Sequence, residues 1–249
     1  MKTVCVIPAR YGSQRLPGKP LMQLHGRPMV EWVVRVAQKM PVFDEVLVAT
    51  DHEDIAAAVR PAGVEAVMTD PELPSGTDRI HEALSGREAD IVVNLQGDEP
   101  GMPMEAVTLA HEALVDSDAD VATACVAITE RADFELPGVV KVVRDSKDRA
   151  LYFSRSPIPS LARRDPLEVE KEGYVFGHKH LGLYLYRRKA LDRFCSLPPS
   201  SLEQTEKLEQ LRMLENGMTI ICVTSPRDSV GVDELEDVKR AEEFLQDLL

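Results

Sequence analysis

Short apolar runs and stretches of helical spacing alternate along the first half of the chain. Residues 4–7 form an apolar run that is too brief for a stable helix and β-branched at Val4, Val6 and Ile7, which predicts a buried strand. Met29, Trp32, Val33 and Val36 then recur at helical spacing until Pro41 stops the run. A strand at 45–50 follows, then a helix from Asp51 to Val59 capped by Asp51 or His52, and a strand at 64–68. Ser75-Gly76-Thr77-Asp78-Arg79 reads as a turn opening a helix to about Leu84. The continuous apolar run 91–95 is the pattern of a central parallel strand covered on both faces. Val107, Ala110 and Leu114 form the stripe of the next helix, and 121–128 is the next strand.

This alternation predicts an α/β fold, a doubly wound and mostly parallel sheet of Rossmann type. Such sheets bind ligands outside the carboxyl ends of their strands. The loops beginning at Pro8, Thr69 and Gln96 leave strands in that direction and are expected to share one crevice. The rhythm breaks from about 130 to 187, where strand-like pieces (139–143, 150–153, 181–186) are separated by proline turns and a charged segment, 163–172. An inserted antiparallel β layer within a single domain spanning 1–249 is the simplest account. The α/β pattern then returns as a helix near 203–215 ended by Asn216-Gly217, a strand at 219–223, and a last helix with Leu235, Val238, Ala241, Leu245 and Leu248 inward.

Charge sharpens this picture. The net charge is −13, yet the first 30 residues hold five basic and no acidic residues, and the other 219 carry −18. A cationic front end on an acidic chain argues against a nucleic-acid surface and for a local site that takes a small anion. No apolar run is long enough to span a membrane and no signal peptide is visible, so a cytoplasmic location is expected. Cys5, Cys125, Cys195 and Cys222 lack metal-ligand spacing and read as structural thiols of a reducing compartment.

The loop after the first strand carries Arg10, Arg15 and Lys19 among glycines and prolines, a composition suited to phosphate. It is not a P-loop, because five residues separate Gly12 from Gly18 and Pro20 follows Lys19. Nor is it a dinucleotide fingerprint. Asp98, in Gln96-Gly97-Asp98-Glu99-Pro100, stands at a strand end where a carboxylate either holds Mg²⁺ or bonds its own turn. Asp233 precedes the last helix and reads equally as a functional carboxylate or as a cap with Glu236, and spacing alone does not bring it to Asp98. His178 and His180 share one strand face without an evident third ligand, which favours substrate contact over zinc.

The run Ile7-Pro8-Ala9-Arg10-Tyr11-Gly12-Ser13-Gln14-Arg15-Leu16-Pro17-Gly18-Lys19-Pro20-Leu21 resembles the signature of the sugar-acid cytidylyltransferases. The likeness continues through Gly26–Met29, Ala49-Thr50-Asp51, Ser75–Arg79, Asn94–Pro100, Ala150–Arg155, His180–Tyr184, Leu208–Arg212 and Gly231-Val232-Asp233, and is strongest to the branch acting on 3-deoxy-manno-octulosonate (Kdo). It implies a nucleotidyltransferase fold, CTP and Kdo as substrates, CMP-Kdo and pyrophosphate as products in lipopolysaccharide assembly, and a homodimer.

The resemblance also implies roles. Arg10 and Lys19 would grip the triphosphate, supported by Ser13 and Arg15, while Ala9, Ser75 and Gln96 contact the cytidine. Asp98 and Asp233 would hold Mg²⁺. Arg155, His180, Tyr184, Glu209 and Gln210 would recognise the sugar acid, with 130–187 as the sugar-binding and dimerisation insertion. Lys179, Leu185, Ser201, Glu234-Leu235 and the stretch 160–177 depart from the family's usual pattern around the expected sugar side. An amino-substituted Kdo, an acylneuraminate, and nucleotide binding without catalysis stand as alternatives.

Overall fold

The computed structural model describes residues 1–249 except 13–17, 170, 233 and 247–249. The apolar run at the front is strand β1 (Thr3–Ala9), with every residue buried. A 3₁₀ turn at Lys19–Leu21 and a small hairpin, β2 (Gln23–Leu24) and β3 (Arg27–Pro28), lead into helix α1 (Met29–Gln38). Then come β4 (Glu45–Thr50), α2 (Glu53–Val59), β5 (Glu65–Met68), α3 (Gly76–Ala83), β6 (Ile91–Leu95), α4 (Met104–Val115) and β7 (Val121–Ile128). His52 is the cap of α2, its Nδ1 accepting from Asp54 N–H at 3.2 Å.

Helix α5 (Arg131–Glu135), strands β8 (Lys141–Arg144) and β9 (Ala150–Ser154), helix α6 (Pro166–Val169) and strand β10 (Gly177–Arg187) make up the middle. The chain ends with α7 (Arg188–Ser196), α8 (Ser201–Glu206), α9 (Gln210–Glu215), β11 (Ile220–Thr224) and α10 (Asp237–Gln246). The helix expected over 203–215 is two helices, because Lys207 takes left-handed backbone angles (φ 55°) and breaks the run. Leu235 lies outside α10 and is exposed, whereas Ala241 and Leu245 are buried as expected; Leu248 falls outside the described residues.

The main sheet runs β11-β7-β10-β6-β1-β4-β5. Its pairings are parallel except those of β10, which lies antiparallel between β6 and β7 and extends through β8 to β9. The antiparallel layer is thus continuous with the main sheet, and β10 belongs to both. Strand alternation divides the core. Cys5, Ile7, Val93, Leu95, Leu183 and Leu185 face α1, α2 and α4, while Val4, Val6, Val92 and Tyr186 face α3, α7 and α9. A third cluster packs α10 and Val232 against Leu24, Met29 and Trp32.

The antiparallel portion is held by a buried cation. Lys141 is fully buried, and its Nζ donates to the carbonyls of Leu136 (3.0 Å), Val139 (2.6 Å) and Arg155 (2.6 Å). The ammonium thereby ties the turn before β8 to the residue that follows β9. Lys141→Met keeps the stem but removes the shared donor of three carbonyls, so urea unfolding should show a loss of roughly 3 kcal/mol. A loss under about 1 kcal/mol would mean that the carbonyls find other donors.

Candidate active site

Strand β1 pairs in parallel with β4 on one edge and β6 on the other, so the chain direction diverges at its carboxyl end. That switch point opens a cleft of about 520 Å³ bordered by Ala9, Arg10, Lys19, Ser75, Gln96, Asp98 and Glu209. These seven are candidates from the sequence; Arg79, which lines the same cleft, is not. Gly97 explains how the loop after β6 fits there, since a Cβ at that position would stand 2.8 Å from the Pro8 carbonyl oxygen. Only glycine lets Gln96 and Asp98 pass so close to the end of β1.

Lys19 and Asp98 meet within this cleft. The Lys19 side chain is almost fully buried, and its Nζ donates to Asp98 Oδ2 at 2.7 Å, while the Asp98 side chain stays 40% exposed. Arg10 is exposed and makes no hydrogen bond or ion pair with any described residue, so its guanidinium is open to an incoming anion. Gly101 exchanges backbone hydrogen bonds with Val230, and Val232 N–H donates to Asp98 O at 2.9 Å. A Cβ on Gly101 would sit 2.5 Å from Val230 Cβ, so this crossing also requires glycine. The segment before α10 is thereby laid along the Asp98 loop. Asp233, like Ser13 and Arg15, lies outside the described residues.

On the opposite wall Ser75 caps α3. Its Oγ accepts from Asp78 N–H at 3.1 Å and donates to Asp78 Oδ2 at 2.7 Å. One turn on, Arg79 is buried against the cleft, donating to Thr69 Oγ1 and reaching Asp51 Oδ2 at 3.5 Å. Asp51 in turn accepts from Tyr11 N–H at 3.0 Å. Arg79 is a cleft residue that sequence reasoning missed; its position four residues after the cap was the available signal, and it reads locally as a helix-surface cation. Gln96 Nε2 donates to the buried Asn94 Oδ1 at 3.0 Å, which fixes the amide and leaves its oxygen free of that bond. Glu209 Oε2 accepts from Thr77 Oγ1 at 2.9 Å, and burial, with Asp78 nearby, raises its carboxyl pKa above the usual range.

The remaining predicted residues lie beyond the cleft lining. Arg155 N–H donates to Glu206 Oε2 at 3.0 Å. Its guanidinium reaches the carbonyls of Glu206 (2.8 Å), Pro137 (3.2 Å) and Lys207 (3.3 Å). Three carbonyls thus orient the group and leave one N–H on each terminal nitrogen. Gln210 is buried in the first turn of α9. His180 and Tyr184 are ring neighbours at 5.3 Å, and Tyr186 follows Tyr184 at 5.9 Å, forming an aromatic column along one face of β10. Phe153 meets His180 edge-on at 5.0 Å. Burial lowers the His180 pKa to about 3, and burial together with neighbouring anionic groups, Glu209 among them, raises both tyrosines.

A histidine neutral when folded but basic when unfolded makes stability fall with acid. Between its folded value of about 3 and an unfolded value of about 6.5, the unfolded chain binds the extra proton. Lowering the pH from about 7 to about 4 should therefore cost the native protein some 3 kcal/mol more than it costs His180→Gln. Denaturant melts of the two across that range measure the difference; parallel curves would disprove it.

Three comparisons bear on this site. A family model described as "Cytidylyltransferase" matches residues 4–220. The chain is 44% identical to a 3-deoxy-manno-octulosonate cytidylyltransferase of Bdellovibrio bacteriovorus, with 98% of each covered. It is 45% identical to the one from Lawsonia intracellularis, covering 98% of this chain and 92% of that one. A solved structure of CMP:2-keto-3-deoxy-manno-octonic acid synthetase complexed with CTP superposes with a TM-score of 0.90 at 40% identity, each chain covered in full. A Leptospira borgpetersenii cytidylyltransferase, 16% identical with a TM-score of 0.63, shares the fold over all of this chain and 88% of its own. The chain belongs to the cytidylyltransferase family.

Proposed function

We propose that the protein transfers CMP from CTP to the anomeric hydroxyl of Kdo, giving CMP-Kdo and pyrophosphate. The observation that carries this reading is the switch-point cleft, in which Arg10, Lys19 and Asp98 stand opposite Ser75 and Gln96. Its support in kind comes from relatives named for this reaction over nearly the whole chain.

In this reading the triphosphate lies over the end of β1. Arg10 binds phosphate oxygens with its open guanidinium, and Lys19 adds them to its bond with Asp98. Ser13 and Arg15 are assigned to the same loop, and Ala9, Ser75 and Gln96 to the cytidine. The sugar hydroxyl attacks the α-phosphorus, loses its proton, and pyrophosphate leaves as the α–β bridge breaks. No nucleophilic side chain is required. Positioning and charge neutralisation supply the acceleration.

The divalent ion is assigned as Mg²⁺, held by Asp98 and Asp233. Both are hard oxygen donors of the kind that would hold such an ion beside a phosphate. The bond from Val232 to Asp98 supports this pairing, because it holds the residue preceding Asp233 against the backbone of Asp98. When bound, the ion lowers the pKa of the attacking hydroxyl and offsets charge at the phosphate. The chain's own contribution is to keep Asp98 at the cleft surface, with Lys19 balancing its charge.

The sugar acid is assigned to Arg155, His180, Tyr184, Glu209 and Gln210. The two terminal N–H groups left on Arg155 suit its carboxylate. The segment 130–187 is assigned to the sugar side and to a homodimer contact, an assignment supported by exposed Leu136, Leu151, Leu167 and Val175.

The deciding assay is pyrophosphate release with CTP, Mg²⁺ and a panel of Kdo, 8-amino-Kdo and an acylneuraminate. Release that depends on CTP and is fastest in kcat/KM with Kdo is expected; a higher value for another acid reassigns the acceptor, and none with any acid overturns the reading. Asp98→Asn should lower kcat by about a hundredfold or more, far more than any loss of folded protein at the assay temperature accounts for, since Asn keeps an acceptor for Lys19. Wild-type turnover in that variant removes Asp98 from the metal site.

A further inference from the structure

We infer that Thr123 is a positioning residue that fixes His180 as the Nε2-protonated tautomer, so that Nδ1 is presented as a hydrogen-bond acceptor to a hydroxyl of the sugar acid. The identity of that hydroxyl's owner rests on the function proposed above; the tautomer rests on contacts within this chain.

The argument begins at an irregularity in β10. Its register against β7 shifts between Leu181 and Tyr184, which leaves the Leu183 carbonyl outside the regular ladder on that edge. Thr123, fully buried on β7, fills the gap, its Oγ1 donating to Leu183 O at 2.6 Å. The same Oγ1 lies 2.9 Å from His180 Nε2. A hydroxyl has a single hydrogen, and a carbonyl oxygen only accepts. The hydrogen between Thr123 and His180 is therefore on Nε2. The opposite arrangement would face two lone pairs across 2.6 Å in a site without water access.

The ring's surroundings complete the assignment. Phe153 packs edge-on at 5.0 Å and Tyr184 at 5.3 Å, and the residue is only 9% exposed, so the imidazole is held neutral as well as oriented. A neutral ring with Nε2–H has its lone pair on Nδ1. No described residue donates to Nδ1. A neutral acceptor recognises a hydroxyl rather than the substrate's carboxylate, which leaves the carboxylate to Arg155. The two parts of a sugar acid are thereby divided between two side chains of opposite hydrogen-bonding character.

The test has three arms. In the wild-type protein, long-range ¹H–¹⁵N correlation spectra should show His180 protonated on Nε2; the Nδ1-protonated pattern overturns the inference whatever the enzyme's activity. Thr123→Val should lose that single-tautomer signature and raise KM for Kdo about tenfold, the cost of one neutral hydrogen bond, with KM for CTP within about twofold of wild type. Thr123→Ser retains the hydroxyl and should restore both the spectrum and KM, so failure of rescue, or an unchanged KM in Thr123→Val, assigns Thr123 to packing alone. If Thr123→Val does not fold, the wild-type spectrum and the Ser variant still decide the matter. Absence of turnover with Kdo in the wild type refutes the proposed acceptor but leaves the tautomer measurement intact.

Discussion

Two parallel ladders meet on β1, one from β4 and one from β6, and their divergence leaves room at the carboxyl end of the strand. Arg10, Lys19, Ser75, Gln96 and Asp98 are delivered by loops leaving β1, β5 and β6, while Arg79 comes from α3 and Glu209 from the α8–α9 junction. Because β1 is buried along its whole length, its end cannot shift without disturbing both halves of the core. The close approach of Gly97 to the Pro8 carbonyl follows from the same geometry. The switch point therefore supplies space, and glycine allows backbone to enter it.

Into that space the chain puts charge that its overall composition disfavours. The protein carries a net −13, so its average field opposes an approaching triphosphate. Arg10 and Lys19 reverse the sign locally. Asp98 keeps the Lys19 ammonium directed into the cleft, and a buried lysine with a carboxylate partner avoids the cost of an isolated charge. The same carboxylate is the hard donor to which a divalent ion is assigned, so its partial exposure matters as much as its pairing.

Much of this was legible in the sequence, and the reasons differ from place to place. Strands such as 45–50, 91–95 and 121–128 carry their identity in local apolar runs, and the structure returns those boundaries unchanged. Arg10, Lys19, Gln96 and Asp98 were legible because the loops carrying them follow such strands, whereas Ala9, Ser75 and Glu209 were legible only through the resemblance to the sugar-acid cytidylyltransferases. What pairs with what was not. Nothing in the local pattern of 177–187 says that it enters the main sheet antiparallel between β6 and β7, since strand partners are set by distant sequence. Arg79 and Thr123 were missed for a related reason. Each is a buried polar residue whose role comes from a partner on another element, Asp51 and Thr69 for one and the β10 bulge for the other. The break at Lys207 was hidden because nearly every residue of 203–215 favours a helix and no glycine or proline marks the bend.

That break has a structural consequence which a continuous helix would not deliver. Helices α8 and α9 are locked at an elbow by the buried pair of Glu203 and Arg212, whose Nε–Oε2 contact is 2.8 Å, with the guanidinium over the Phe194 ring at 4.4 Å. Before the bend, Glu206 accepts from Ser154 Oγ and Arg155 N–H. After it, Glu209 accepts from Thr77 at the wall of the cleft. A straight α-helix would place residues three apart on one face, directed to one neighbour. With left-handed angles at Lys207, one carboxylate instead serves β9 and the other serves α3. The elbow is rigid because its ion pair is buried and bidentate. Arg155 and the switch-point cleft are consequently held at a fixed separation by one short stretch of chain, which, under the proposed assignment of sugar and triphosphate, is the condition for an attacking hydroxyl and an α-phosphorus to meet in line.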